Sequence, residues 1–422
     1  MDILEDKGVI GVSFEQVYRR ALERALRGEK QEEQGEQKRR QLDCLLHPEK
    51  QPSVWKLNEC GCKPGEDNCA AACLFQAIGR DEEGKLTIDP DRCNGCGACI
   101  EACKSGGLTA SRDILPALDA VKHAKGPVFA LVAPAFHGQF SDAVTPGKLR
   151  SAFRLLGFTG MVEVALFADI LTLKEALEFD EHINTEDDFQ LTSCCCPVWI
   201  AMLRKQYPEL MDHVPGAVSP MIAAGRAVKQ LHPDALTIFV GPCTAKKNEA
   251  KEPDLVGAVD YVLTFQEVRD IFEAARIHPE TLEDTQRDHS SRAGRIYAHT
   301  GGVSEAVQAT VAKLRPERNI PVRAAQADGV PACRELIESI RRGEQKANFF
   351  EGMGCAGGCV GGPKVLVDKR LGRENVIHYG ALASSTTPLD NPYVPKLLRR
   401  LGFDSVEDFL KRSDIFVRRF NQ

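Results

Sequence analysis

Three short segments in the second half of the chain combine cysteine with glycine and proline, and their residue types favour metal chemistry. They are residues 192–199 (TSCCCPVW), 241–247 (GPCTAKK) and 351–363 (EGMGCAGGCVGGP). A cubane iron–sulfur cluster binds four thiolates that approach from its corners, and glycine lets the backbone fold closely around it. The three segments therefore predict one shared metal centre, provided that the fold brings them together.

A second set of cysteines lies nearer the N-terminus and follows iron–sulfur spacing. The later run has the x2-x2-x3 rhythm of bacterial ferredoxins, although Lys104 replaces the usual proline, and a modified run precedes it. In two-cluster modules the fourth cysteine of each run serves the other cluster. We therefore expect two 4Fe–4S clusters, the first held by Cys60, Cys62, Cys69 and Cys103 and the second by Cys93, Cys96, Cys99 and Cys73. Zinc is the alternative, but zinc sites usually pair two separated knuckles.

Composition narrows the class of protein. The sixteen cysteines among 422 residues are clustered, which favours metal binding in a reducing cytoplasm over a disulfide scaffold. The N-terminus lacks the basic and apolar regions of a secretory signal, and no apolar run approaches the roughly 20 residues of a membrane span. A net charge of −6 gives no sign of nucleic-acid binding. We therefore expect a cytoplasmic protein that binds neither nucleic acid nor membrane.

The hydrophobic pattern divides the chain into four parts that must position these cysteines. Residues 1–55 are interpreted as a charged helical extension, 56–112 as the two-cluster ferredoxin-like module, 127–365 as an α/β domain and 366–422 as a C-terminal helical wrap. The polar run at 29–40 within the extension is interpreted as a solvated helix or linker.

The α/β domain is predicted from strands that alternate with helices. Buried strands are expected at 128–132 and 235–240, a helix at 148–156, and a further strand at 295–298. Such alternation predicts parallel sheets covered on both faces, with ligands bound at the loops after the carboxyl ends of the strands. Cys243 and residues 300–302 are expected in such loops.

The cysteine-rich module followed by the three motifs in this order resembles the iron-only (FeFe) hydrogenases. The resemblance covers roughly residues 56–365, and the triple cysteine of the first motif is most like the branch called group B. It implies a two-lobed α/β domain with the active site between the lobes. It also implies the H-cluster, a 4Fe–4S cubane bridged by a cysteine to a diiron subsite with carbonyl, cyanide and azadithiolate ligands. The implied reaction is 2 H+ + 2 e− = H2, with ferredoxin or a similar soluble carrier as electron partner and with dedicated maturation factors.

Motif by motif, the resemblance assigns the ligands of the cubane. They would be Cys196, Cys243, Cys355 and Cys359, with Cys359 as the bridge to the diiron subsite. Cys195, one position before the first ligand, would pass protons to the bridging amine. Spacing alone leaves open a shifted register in which Cys194 and Cys195 take these two roles.

Further residues would surround the diiron subsite. The resemblance implies that Lys246 and Ser219 lie near the cyanides and Met353 near the bridging ligand. Glu175 and Glu178 would relay protons, since residues at i and i+3 share one helix face. Each of these residues also has a structural interpretation. Lys246 would be a surface lysine, Ser219 a helix N-cap and Met353 a core residue, and the two glutamates would lie on an exposed acidic helix face.

Two positions depart from the family pattern. Pro215 stands where the group A relay has a serine, and Glu249 is an alternative group for that route. Gly241 stands where group A has a methionine, which predicts extra space or water beside the diiron subsite. Cys333 lies in a predicted helix at 332–340 and is interpreted as structural.

Two other functions share these motifs. A hydrogen sensor would use the same centre for signalling, but the roughly 55 residues after the α/β domain are short for a signalling domain. An iron–sulfur assembly protein of the same superfamily would lack the diiron subsite. The combination of Lys246, Met353 and Cys195 argues against that function.

Overall fold

Two parallel sheets organise the chain after residue 126, and a helical and cysteine-rich region packs beside them. The computed structural model describes residues 14–57, 62, 68–192, 195–285, 287–411 and 414–420. The elements before the sheets are α1 (Phe14–Arg27), α2 (Glu36–Leu46), β1 (Val54–Lys56), α3 (Asn68–Ala71), β2 (Ile78–Arg80), β3 (Leu86–Ile88), α4 (Ala98–Ala102), β4 (Leu108–Ala110) and α5 (Ile114–His123).

The N-terminal extension is attached to the core rather than surrounded by solvent. The apolar stripe of α1 is buried, as its helical spacing predicts. The Tyr18 hydroxyl donates a hydrogen bond to Asp270 at 2.9 Å, and the Arg112 guanidinium lies 3.8 Å from the centroid of the Tyr18 ring. Helix α2 begins inside the predicted polar run and buries Leu42 and Leu45.

The rest of the chain alternates strands and helices. The elements are β5 (Val128–Val132), α6 (Pro146–Leu155), β6 (Gly160–Glu163), α7 (Ala165–His182), β7 (Gln190–Leu191), α8 (Pro197–Gln206), α9 (Pro220–Leu231), β8 (Leu236–Gly241), α10 (Ala245–Glu249), β9 (Tyr261–Thr264), α11 (Phe265–Ala274), α12 (Arg292–Ile296), α13 (Gly302–Leu314), β10 (Ala324–Asp328), α14 (Val330–Arg341), β11 (Phe349–Met353), α15 (Lys369–Ala381), α16 (Tyr393–Arg400) and α17 (Val406–Lys411).

Sheet topology places the three motifs at the carboxyl ends of strands. One sheet has the order β6-β5-β8-β9 and the other β10-β11-β7, and every pairing in both is parallel. The first motif follows β7, the second follows β8, and the third begins within β11. The predicted fold class, an α/β domain with parallel sheets, is therefore confirmed, and the motifs lie where ligands bind in such folds.

The predicted strand at 295–298 is wrong. Residues 292–296 form α12, so the loop at 300–302 follows a helix and opens α13, with Gly301 at φ +86°. A short apolar run fits a buried helix as well as a buried strand, and only tertiary packing decides between them. Here Arg295 donates to the backbone carbonyl of Tyr379 at 3.0 Å, which ties α12 to α15.

Helix α7 is buried on almost every side, although it carries several charged residues. Asp169 is an anchor: it accepts hydrogen bonds from the amides of Ser291 at 2.7 Å and Gly294 at 2.9 Å and from Asn391 at 2.9 Å. Burial raises the pKa of Asp169 to about 6 despite these donors. This helix therefore holds a fixed position against α12 and the C-terminal segment.

No helix in the described ranges has both the length and the apolar character that crossing a bilayer requires.

The close approach of α12 to α7 depends on Gly294. A Cβ at this position would collide with the Ala165 carbonyl oxygen and lie 2.8 Å from an Asp169 carboxylate oxygen. We expect Gly294→Ala to destabilise the fold by about 1–3 kcal/mol, the usual cost of overpacking. Gly372→Ala in α15 is the matched control, since its Cβ would come no nearer than 3.3 Å to Val360. Thermal unfolding checks this, and equal melting temperatures for the two variants would contradict it.

Candidate metal centre and the cavity beside it

The first motif is fixed by the residues on either side of its cysteines. The Trp199 indole nitrogen donates to the Thr192 carbonyl at 3.0 Å, which closes the loop between β7 and α8. Pro197 occupies the first turn of α8, where a missing N–H costs nothing. Cys196 is the residue just before this helix, so its thiol lies at the helix start. Ser193 and Cys194 are outside the described residues.

The third motif packs directly against the first. Gly352 lies against the Trp199 ring so closely that a Cβ could not fit, and a Cβ on Gly354 would come within 2.6 Å of Val198. The Gly354 amide donates to the Cys196 sulfur at 3.2 Å. Glycine at these two positions therefore allows the backbone of one motif to reach the sulfur of the other.

Glu351 anchors the start of the third motif. Its buried carboxylate accepts hydrogen bonds from the Gly301 amide at 2.8 Å and from the Ser304 amide and hydroxyl at 2.8 and 2.7 Å. Burial raises the pKa of Glu351, although the Ser304 donors favour the charged form. The sequence analysis did not single out this residue, because its partners lie about fifty positions away.

The second motif meets the third through backbone contacts. The Lys364 amide donates to the Pro242 carbonyl at 3.0 Å. Cys243 follows at the start of the turn into α10, with Lys246 on that short helix. Hydrogen bonds between residues other than the four predicted ligands therefore also hold the three motifs in place.

The four predicted cubane ligands are each partly buried and lie near one another. Burial raises the pKa of Cys355 well above its ordinary value, and nearby thiolates of Cys243, Cys196 and Cys359 raise it further. Burial likewise raises the pKa of Cys243 to about 11 and of Cys359 to about 12, and each again has Cys196 as a neighbour. Thiols so placed bind as thiolates only when a metal compensates their charge.

The donor set fits an iron–sulfur cluster better than the other chemistries considered. None of the described cysteines is in a disulfide. Among the described residues, no three His, Cys, Asp or Glu side chains meet in the geometry that one metal ion requires. Zinc holds its ligands at about 2.0–2.3 Å from a single centre, whereas each thiolate of a cubane binds a different iron. Cys196, Cys243, Cys355 and Cys359 would hold such a cluster.

An apolar cavity lies beside these cysteines, between the two sheets. Strand ends of the first sheet contribute Ala133, Phe239 and Pro242, and the motifs of the second contribute Cys195 and Cys359. Helix α9 adds Pro220 and Met221. Ala133 and Pro134, which directly follow β5, lie side by side in this wall.

The adjacent thiols of the first motif face different surroundings. Cys195 lines the cavity and packs with the buried cluster that includes Tyr297, Met353 and Cys359. Cys196 packs instead with Trp199 and Cys243. This division matches the assignment of Cys196 as a ligand and Cys195 as a separate thiol on the cavity wall.

Lys246 is a buried cavity residue rather than a surface lysine. Its ammonium donates to Glu249 at 2.6 Å, and both side chains are almost fully enclosed. Burial opposes the charge, but the Glu249 carboxylate outweighs it and raises the pKa of Lys246. A lysine kept charged on a dry wall is suited to an anionic ligand in the cavity.

Ser219 is a helix N-cap, which is the structural alternative that the sequence analysis gave for it. Its hydroxyl caps α9 by accepting a hydrogen bond from the Ile222 amide at 3.4 Å, and it lines a cleft shared with Glu249.

Met353 is buried beside Cys195 and Cys359. Gly241 does not open space, because the ring of Phe239 fills it.

Glu175 and Glu178 do not form an exposed acidic face. Glu175 is 0% exposed and Glu178 is 9% exposed. Burial raises the pKa of Glu178, against the opposing effect of its ion pair with Lys174. Glu178 and Pro215 both line a cleft of about 370 Å³ that His213 also borders. A solvent-filled cleft thus reaches the outer glutamate and the position that lacks the relay serine.

The described cysteines of the ferredoxin-like module lie near one another. Burial raises the pKa of Cys99 to about 12, and the neighbouring thiolates of Cys96, Cys93 and Cys73 add to this effect. Cys62, Cys69 and Cys103 line a separate cavity together. Cys60, the fourth predicted ligand of that cluster, lies outside the described residues.

The second cysteine run of this module contacts all three motifs. The Asn94 amide donates to the Pro197 carbonyl at 3.2 Å, and the Thr244 hydroxyl donates to the Gly95 carbonyl at 2.5 Å. A Cβ on Gly97, where φ is +85°, would lie 3.3 Å from Pro363. Cys96 also packs in the same buried cluster as Cys196 and Cys243. The sequence analysis missed Asn94 and Thr244, which carry no metal-binding signature.

The fold and the cysteine arrangement define an iron–sulfur protein of the hydrogenase type, and comparison with known families agrees. The chain belongs to the family of the iron-only hydrogenase large subunit, C-terminal domain, which matches residues 126–363. A 4Fe–4S binding domain matches residues 86–109.

Known relatives include hydrogenases and iron–sulfur assembly proteins. Iron hydrogenase 1 of Clostridium pasteurianum is 28% identical over 374 residues, which cover 67% of this chain and 65% of that protein. The chain thus spans slightly less than two thirds of that relative. Cytosolic iron-sulfur assembly component 3 of Bos taurus is 24% identical over 401 residues, covering 79% of this chain and 84% of that protein.

Solved structures support the same fold. A variant of apo FeFe-hydrogenase HydA1 from Chlamydomonas reinhardtii aligns with a TM-score of 0.61 and 22% identity, covering 73% of this chain and 98% of that chain. The hydrogenase-like fold of this chain is therefore shown by sequence family and by structure together.

Iron content tests the predicted ligands. We expect Cys243→Ala to lose about four of the twelve irons that three 4Fe–4S clusters would hold, because a cubane needs its four thiolates. Cys333→Ala is the control: Cys333 is a buried cysteine whose thiol donates to the Met353 carbonyl at 3.3 Å, and it is not in the predicted set. Iron analysis of both variants checks this, and equal iron content would remove Cys243 from the ligands.

Proposed function

We propose that this chain is an FeFe hydrogenase, most like the group B branch, that catalyses 2 H+ + 2 e− = H2. The observation that carries the proposal is the apolar cavity beside four converging thiols, with Lys246 and Cys195 on its wall. When bound, a diiron subsite bridged by Cys359 would supply the redox chemistry with hydrogen. The protein's part is to exclude water, to hold the anionic ligands through Lys246 and to move protons and electrons.

Proton movement is assigned to Cys195, Glu175 and Glu178. Cys195 lies on the cavity wall, so its thiol can exchange a proton with a base inside the cavity. Glu175 and Glu178 are buried on one face of α7, and the outer glutamate borders the solvent cleft. The cleft also supports a water-mediated step past Pro215, where no side-chain hydroxyl is available.

Electron movement is assigned to the two 4Fe–4S clusters of the module. The Cys96 thiol packs in the same buried cluster as two predicted cubane ligands, so the second cluster would lie next to the cubane. The first cluster would lie farther out, where Cys103 is partly exposed and can face a carrier. We propose ferredoxin or a similar soluble protein as that carrier, in the cytoplasm, and maturation factors for the diiron subsite.

An iron–sulfur assembly function is the second candidate, since relatives with that name match most of the chain. Such a protein would need the clusters but no apolar cavity with a charged lysine and a second cysteine of the first motif on its wall. The buried Lys246 and the cavity-facing Cys195 therefore favour the hydrogenase. A hydrogen sensor would keep the same centre and differ in turnover alone.

Infrared spectroscopy of protein matured without oxygen tests the proposal. We expect carbonyl and cyanide bands in the wild type and in Cys195→Ala, because the ligand set is intact in both. Turnover should fall at least about 100-fold in Cys195→Ala, since a positioned proton donor contributes about 10²–10⁴-fold.

If the matured wild-type protein shows no such bands, the hydrogenase proposal fails and the iron–sulfur assembly function remains as the candidate. Full activity in Cys195→Ala together with lost activity in Cys194→Ala would establish the shifted register instead.

The relay has its own test on helix α7. We expect Glu175→Gln to slow turnover by roughly 100-fold or more, because the amide keeps the size of the side chain but cannot carry the proton. Glu181→Gln on the same helix is the matched control, since Glu181 is exposed. Hydrogen evolution by both variants, at equal infrared band intensity, checks this. Equal rates would exclude Glu175 from the relay.

A further inference from the structure

The ring of Phe239 occupies the space that a side chain at position 241 would fill. A Cβ added to Gly241 would lie 2.6 Å from Cε1 and 2.9 Å from Cζ of Phe239, and 3.1 Å from the Cβ of Ala133. The two contacts with the Phe239 ring are shorter than carbon atoms allow in real packing, and the contact with Ala133 is tight. Positions 239 and 241 therefore share one volume, and in this chain the aromatic residue holds it.

Strand geometry explains why two residues compete for one volume. Residues i and i+2 of a strand point to the same face of the sheet. Phe239 and Gly241 both belong to β8, an interior strand in which Phe239 pairs with Leu131 on one side and with Val262 on the other. Because both neighbours fix the backbone, the Phe239 ring cannot move aside by shifting the strand.

The same ring forms part of the cavity wall. Phe239 is 3% exposed and lines the cavity together with Ala133, Cys195, Cys243 and Lys246. Almost all of the wall is apolar, so small uncharged molecules are favoured there over water. The ring consequently limits the free volume on the Gly241 side of the Cys243 thiol.

We propose that Phe239 is the residue that restricts access of small uncharged molecules such as H2, CO and O2 to the side of the cavity at Cys243 and Gly241. The identity of the gases depends on the proposed function. The claim that Phe239 restricts the volume does not depend on it. The chain thus replaces a side chain on the second motif with an aromatic ring from two positions earlier.

Xenon binding tests the volume without any need for turnover. Crystals of the protein carrying its iron–sulfur clusters would be pressurised with xenon, which binds dry apolar cavities of about 150 Å³. We expect xenon beside Gly241 in Phe239→Ala and not in the wild type. Phe272→Ala is the matched control, since Phe272 is also 3% exposed but packs against Phe140 and Phe153 instead.

Xenon beside Gly241 already in the wild type, or none there in Phe239→Ala, would overturn the proposal. If Phe239→Ala does not fold, Phe239→Leu gives the same test with a smaller opening and a correspondingly lower xenon occupancy.

The swap variant Phe239→Ala with Gly241→Met tests the shared volume in matured enzyme. CO should inhibit hydrogen oxidation about tenfold faster in Phe239→Ala, because removal of the ring lowers the barrier to entry of CO. A tenfold change in rate needs only a modest drop in that barrier. In the double variant, the methionine at position 241 should return the rate of CO inhibition toward that of the wild type. The effects of the two substitutions would then not be additive. Equal CO inhibition in Phe239→Ala, Phe272→Ala and the wild type would refute the proposal. If the matured protein has no hydrogenase activity, only the proposed function fails, and the xenon result still decides the role of Phe239.

Discussion

The constraint on which the rest of the structure depends is the meeting of four partly buried thiols from three distant motifs in one place. Desolvation raises the pKa of Cys243, Cys355 and Cys359, and neighbouring thiolates raise it further. Without a cluster, the thiolate forms would repel one another in a medium that barely screens them. The loops must therefore be held by interactions that do not depend on sulfur. The Trp199–Thr192 bond, the Glu351 carboxylate and the Lys364–Pro242 bond provide this support.

Parallel strands make this convergence possible. Strands β7 and β11 lie in one sheet and β8 in the other, and each motif starts where its strand ends. Because two sheets contribute, the cavity lies between them and is lined by apolar strand ends. The buried charged groups nearby come with a partner: Lys246 with Glu249, and Glu178 with Lys174. The pairing fixes where charge is tolerated.

Local patterns predicted the strands next to the second motif well, because such patterns depend on spacing along the chain. The buried strands at 128–132 and 235–240 occur close to where they are predicted. The predictions that were wrong concern packing between distant segments. Residues 295–298 belong to a helix region because Arg295 finds its partner in α15, which no local window contains. Gly241 leaves no space because a ring on the same strand face fills it, and the sequence does not specify that ring's orientation.

Asn94, Thr244 and Gly97 join the ferredoxin-like module to all three motifs, and this has a consequence for how such proteins diversify. An unrelated electron-transfer domain fused at the same position would bring its clusters but not the amide, the hydroxyl contact and the glycine opposite Pro363. The polypeptide around the cubane would then lose part of its scaffold. Lineages built on this architecture should consequently add new redox domains outside this module rather than exchange it.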